Sequence, residues 1–217
     1  MSTTIFHDIA AGQAPGPIIF TVEQFHRMLD EGIVADGDAV ELIEGVVMPK
    51  DRGAQGDPTM AHSKRHAVAV ARIQRRLERR IGDMNCHVRT QLPLALSGTS
   101  EPEPDLAVVA GMDEAYLDSH PRAADALLVI EVADSSLPYD RNTKYKMYAG
   151  AGVSVYWIVN LVDDEIEVFQ SPRPKKRAYE SATRHRPGDA VPLPIDVAGV
   201  PPLIAVDELI PPRAEPR

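Results

Sequence analysis

The run Ala126-Leu127-Leu128-Val129-Ile130-Glu131-Val132 constrains this chain more than any other segment. Its aliphatic residues do not alternate with polar ones, so it reads as a strand covered on both faces. A fold that contains it needs a central sheet with a layer packed on each side. Glu131 breaks the run. Moving an ionised carboxylate into a dry interior costs several kcal/mol unless it is paired or bound to a metal. The same segment therefore asks for a covered sheet and for a reason to bury an acid.

The remaining periodicities supply the layers. Thr21 caps a short helix carrying Val22, Phe25, Met28 and Leu29, and Gly32 stops it. Residues 39–48 read as a hairpin about Glu44-Gly45, and 50–59 as a loop. In the helix expected over 61–81, His66, Val70, Ile73, Leu77 and Ile81 form one stripe. Further strands are expected at 86–94, 105–109, 153–160 and 165–170, with a short helix over 140–149. Ten prolines from Pro172 onward exclude regular helix there and leave a short strand pair and a terminal arm. The prediction is an α/β (α+β) domain, with a central mixed β-sheet flanked by helices and preceded by an N-terminal β-hairpin. It would span 18–210, between a flexible arm (1–17) and a C-terminal tail (211–217).

Composition narrows the function. A chain of 217 residues is long enough to bury about 70% of its unfolded surface. A single cysteine, Cys86, excludes an intrachain disulfide and a cysteine-based zinc site. No basic-then-apolar leader and no run of bilayer length is visible, so a soluble, cytoplasmic protein is expected. The net charge of −9 argues against general polyanion binding. The one dense basic patch is on the 61–81 helix, where Arg72, Arg76 and Arg79 are candidates for phosphate contact; a solvated face is the plainer reading. Glycine-rich phosphate loops, Gly-x-Ser-x-Gly elbows and His-Glu-x-x-His motifs are absent.

Asp105 opens the strand before that of Glu131. Two carboxylates on neighbouring strands can face one oxygen-rich site, which suits Mg²⁺. Such an ion would activate a water against a phosphodiester. Lys144, one turn into the following helix, can fold back over the strand ends towards the acids and hold the attacking water or an oxyanion. The competing reading makes Asp105 a turn residue, Glu131 a strand-end cap and Lys144 a solvated lysine. Position and periodicity do not choose between the two.

Pro104-Asp105, Glu131 and a downstream lysine resemble the PD-(D/E)xK nuclease signature. The more specific resemblance is to the Uma-two family of restriction-endonuclease-like proteins. It rests on an ordered series: Glu41-Leu42-Ile43-Glu44-Gly45, His66, Ser100 to Val109, Val129-Ile130-Glu131-Val132-Ala133-Asp134-Ser135-Ser136, Tyr139-Asp140-Arg141, Lys144, Tyr148 to Val153, Tyr156-Trp157-Ile158-Val159 and Arg186-Pro187-Gly188-Asp189. The resemblance implies a restriction-endonuclease-like fold and a metal-dependent endonuclease using Mg²⁺, with Mn²⁺ able to substitute. Asp105 and Glu131 would bind the metal, and the backbone carbonyl of Val132 would be a further ligand. The ordinary lysine position is Ala133 here, so that role would pass to Lys144. Glu41 either lines the pocket or is an exposed strand residue. His66 is either a boundary histidine or a supporting contact. Val155 and Asn160 depart from the family pattern but lie outside this triad. The expected partner is DNA, with RNA the second choice, and a homodimer is expected. The alternative is a non-catalytic nucleic-acid-binding or assembly protein that keeps the fold, its acids neutralised by Arg141 or Lys144.

Overall fold

The computed structural model describes residues 4–34, 39–50, 63–82, 84–195 and 202–213. The N-terminal stretch holds a helix, α1 (Thr4–Ala10), that no periodicity signalled. Helix α2 (Val22–Asp30) begins in a full capping box: the Thr21 side chain accepts from the Gln24 backbone, and the Gln24 side chain accepts from the Thr21 N–H. Next is the hairpin of β1 (Val40–Ile43) and β2 (Val46–Pro49). Its turn residues Glu44 and Gly45 both have positive φ, +50° and +80°, as a type I′ connection requires. A Cβ on Gly45 would lie 2.4 Å from the Cβ of Ile19, so the turn is also a close-packing point. The loop expected over 50–59 falls almost wholly outside the described residues.

Helix α3 (Lys64–Ile81) is capped by Ser63, and every member of its predicted stripe is buried. The main sheet follows: β3 (Cys86–Thr90), β4 (Leu106–Ala110), β5 (Ala126–Ala133), β6 (Val155–Asn160), β7 (Glu165–Arg173) and β8 (Ala178–His185), in that spatial order. Only β5 and β6 pair in parallel. A parallel neighbour needs a crossover. It is supplied by α4 (Leu137–Tyr139), a π-helical turn at Asp140–Lys144, and α5 (Tyr145–Ala151).

Three expectations are corrected. The first main-sheet strand ends at Thr90 rather than Leu94, because Gln91 takes a φ of +51° and turns the chain out of the ladder. The C-terminal part does contain a strand pair, β9 (Ala190–Pro192) with β10 (Leu203–Ala205). It also contributes the edge strand β8, which fits between Pro174 and Pro187 where no proline interrupts it. One helical turn, α6 (Val206–Leu209), forms in the proline-free stretch after Pro202.

The sheet carries a core on each face, as the non-alternating apolar run requires. Leu128, Ile130 and Val132 of β5 pack with the α3 stripe, Trp157 and the C-terminal segment. Val129 and Ala133 pack on the other face with Leu137, Met147, Tyr148 and Tyr156. Trp157 and Tyr156 are core residues without exposure. Glu131 shares the parity of Val129 and Ala133, so its carboxylate is directed to the face covered by the crossover helix.

Candidate active site

The register of the sheet sets the two predicted acids side by side. Leu106 pairs with Ile130, which puts Asp105 opposite Glu131. Their backbones lock the arrangement: the Asp105 N–H donates to Glu131 Oε2 at 3.3 Å, and the Val132 N–H donates to Asp105 Oδ2 at 2.9 Å. The crossover helix then brings in the lysine. Lys144 Nζ lies 3.0 Å from Glu131 Oε1 and 3.4 Å from Glu41 Oε1. Lys144 ends the π-helical turn, a feature concentrated at functional sites.

Both supporting candidates join the cluster. Glu41 on β1 is buried, and its Oε2 accepts the Glu103 N–H at 3.0 Å. His66, in the first turn of α3, is buried with Nε2 3.2 Å from Asp105 Oδ1. Two residues that the sequence did not mark as site members are also present. Tyr148 donates its hydroxyl to Glu131 Oε1 at 2.7 Å. Asp140, buried and accepting from Ser136 Oγ at 2.7 Å, adds negative charge near Lys144. Tyr148 sits four residues after Lys144, so helical spacing puts both on one face.

The basic residues go elsewhere. Arg72 donates to the backbone carbonyls of Asp207 and Ile210, and Arg76 pairs with Glu208 at 3.4 Å. These side chains tie α3 to the C-terminal segment and are not drawn to the acids. Arg79 is exposed on the same helix. Arg141 pairs with Glu167 at 2.6 Å, so it does not neutralise the Asp105–Glu131 pair.

The electrostatics of the cluster are unbalanced. Burial pushes the Asp105 carboxyl up to about 6, against the opposing pull of the Val132 N–H and the Lys144 charge. Burial pushes Glu131 up to about 7; Lys144 opposes this, while the charges of Asp105 and Glu41 add to it. For Lys144, burial alone would lower the pKa, but Glu131, Glu41 and Asp140 outweigh it and hold the ammonium well above its ordinary value. Burial, with Glu131 next, raises the Tyr148 phenol too, so it stays a hydrogen-bond donor. Glu41, Asp105 and Glu131 thus face one permanent cation in a buried, low-dielectric cluster. Convergent carboxylate oxygens short of positive charge are the donor set that a hard divalent cation fits.

The sequence profile of the Uma2 family, described as "Putative restriction endonuclease", matches residues 22–201. No curated protein matches the chain. A crystal structure titled as a putative nuclease belonging to DUF820, from Anabaena variabilis ATCC 29413, superposes with a TM-score of 0.62. The two chains are 16% identical, over 89% of this chain and 98% of the other. At that identity the likeness establishes the shared fold.

Proposed function

The chain belongs to the Uma2 family of restriction-endonuclease-like proteins, and from that membership and the acid–lysine cluster we propose that it is a metal-dependent endonuclease hydrolysing nucleic-acid phosphodiester bonds. The observation that carries the reading is the convergence of Asp105, Glu131 and Lys144 in one buried cluster. Asp105 and Glu131 would hold Mg²⁺, with the Val132 carbonyl as a further ligand and Mn²⁺ as a substitute. When bound, the ion supplies the Lewis acidity that activates water and offsets charge on the scissile phosphate. Lys144 holds the attacking water or steadies the developing oxyanion. Tyr148 and His66 fix the orientation of the two acids, and Glu41 positions the Lys144 ammonium. The main-chain locks on Asp105 and Glu131 set their directions before substrate arrives, which is the preorganisation this chemistry needs.

DNA is the proposed substrate, with the exposed Arg79 among the phosphate contacts. A homodimer in a reducing, cytoplasmic compartment is part of the same reading, because a two-fold pair matches the pseudo-symmetry of duplex DNA. Light scattering on the purified chain tests the dimer.

The direct 3.0 Å contact of Lys144 with Glu131 also favours a second reading, a nucleic-acid-binding or assembly protein in which the pair is only structural. Calorimetric titration separates the two. The nuclease reading predicts Mg²⁺ binding that Asp105→Asn removes; a flat titration at millimolar Mg²⁺ supports the structural reading.

A further inference from the structure

Outside the acid–lysine cluster, three side chains from distant parts of the sequence converge on one point: His26, Glu101 and His120. Their potential ligand atoms all lie within 4.8 Å of one another. His26 Nε2 is 2.6 Å from Glu101 Oε1, and the His26 and His120 rings meet edge-to-face with centroids 6.0 Å apart. We propose that these residues form a second metal site, for a borderline divalent transition metal of the Zn²⁺ class, separate from the hard-cation site at Asp105 and Glu131.

The ligand chemistry selects the ion. Two imidazoles and one carboxylate are a usual nitrogen–oxygen set for zinc, whereas Mg²⁺ prefers oxygen alone. Metal–ligand bonds of about 2.0–2.1 Å at tetrahedral angles leave ligand atoms about 3.3 Å apart. His26 Nε2 and Glu101 Oε1, 2.6 Å apart, are already closer than that, and all the ligand atoms lie within 4.8 Å of one another.

The setting also fits. Glu101 is buried and carries no lysine or arginine partner among the described residues; its ion-pair partner there is His26, which bears charge only when protonated. A buried carboxylate with so little compensation gains from a cation. Its backbone is fixed by a β-bridge to Leu42, with the Glu101 N–H donating to the Leu42 carbonyl at 2.8 Å. His120 precedes Pro121, whose carbonyl accepts the Ala95 N–H at 2.9 Å. The carboxylate is thus held on one side and the second imidazole on the other. His26 is partly exposed on α2, so an ion can enter and keep a water in its fourth position. Bound there, it would tie α2 and the hairpin edge to the segment leading into β5, closing loops that are long in sequence.

The test is calorimetry of the full chain with Zn²⁺, in the Asp105→Asn background so that the acid–lysine cluster cannot answer for it. The proposal predicts one equivalent of bound Zn²⁺ and a raised melting temperature. His26→Ala and His120→Ala, both changes at partly exposed positions, should each weaken binding at least ~10-fold. Mg²⁺ should not compete. A zinc-edge anomalous peak between the three side chains would confirm the location. Absence of stoichiometric Zn²⁺ binding, or binding undisturbed by both histidine variants, overturns the proposal. Neither result bears on the nuclease reading, which Mg²⁺ binding at Asp105 tests separately.

Discussion

Glu131 carries more of the cluster than any other residue. Its Oε1 receives the Lys144 ammonium and the Tyr148 hydroxyl, and its Oε2 receives the Asp105 N–H. Lys144 is the main counter-charge, so replacing it with a similar-sized neutral side chain leaves buried acids facing one another. Lys144→Met is expected to cost about 3–5 kcal/mol at pH 8, where the acids are ionised. The loss should shrink near pH 5, where they can take up protons. Urea unfolding at the two pH values measures both. A related expectation concerns the metal-free wild type. Asp105 and Glu131 titrate at about 6 and about 7 when folded, above their ordinary values of 3.8 and 4.5. The folded state therefore binds these protons more tightly than the unfolded chain does. The stability they confer is complete below about pH 4 and is lost as pH rises through about 7. Saturating Mg²⁺ should flatten that decline, because it substitutes for the protons.

At this scale Asp105, Glu131 and Lys144 were legible in the sequence for different reasons. An acid inside an otherwise apolar strand announces itself by its desolvation cost, whereas Asp105 and Lys144 needed the family pattern. Tyr148 was not marked, since a tyrosine among apolar helix residues reads as core, and it is core apart from its hydroxyl. Asp140 reads as a helix cap, and nothing in its spacing shows that its charge is directed inwards.

At the scale of elements, the hairpin of β1 and β2 delivers Glu41 to the cluster, and its turn has no room for a side chain at Gly45. Gly45→Ala meets both a positive φ and Ile19, and is expected to destabilise the protein by about 1–3 kcal/mol. Because Glu41 is displaced with the hairpin, activity should fall further than the stability loss alone explains. Parallel thermal melts and rate measurements check this. The hairpin was readable because Glu44-Gly45 sits between two apolar runs. The edge strand β8 was not, because its Ala-Tyr-Glu-Ser-Ala-Thr-Arg-His sequence lacks an apolar face and is assigned only by pairing with β7. Tertiary pairing overrides weak strand propensity of this kind. The crossover helix was read two to three residues short at each end, since Leu137-Pro138-Tyr139 before it looks like a turn. Pro138 is tolerated because it lies in the first helical turn.

For the whole molecule, the net charge of −9 opposes binding to a polyanion. Part of the basic face of α3 is also consumed internally by the C-terminal segment. Metal-free protein is therefore expected to retain no DNA in a mobility-shift assay at physiological salt. Addition of divalent metal should produce a retained complex with Asp105 and Glu131 intact. Among the described residues no helix is long and apolar enough to cross a membrane. The layered arrangement, with a core on each face of one mixed sheet, followed from the non-alternating apolar strand around Glu131. What the strand alone could not specify was how the acid is compensated, and the answer is an incomplete set of positive charges.

The most direct measurement is cleavage of DNA by the purified chain with and without Mg²⁺, beside Glu131→Gln checked for folding by circular dichroism. The wild type should show Mg²⁺-dependent strand scission, abolished by chelation and reduced on the order of 10²-fold or more in the folded variant. Scission that persists undiminished in Glu131→Gln, or a wild type that cleaves neither DNA nor RNA with any divalent metal, would contradict the nuclease reading.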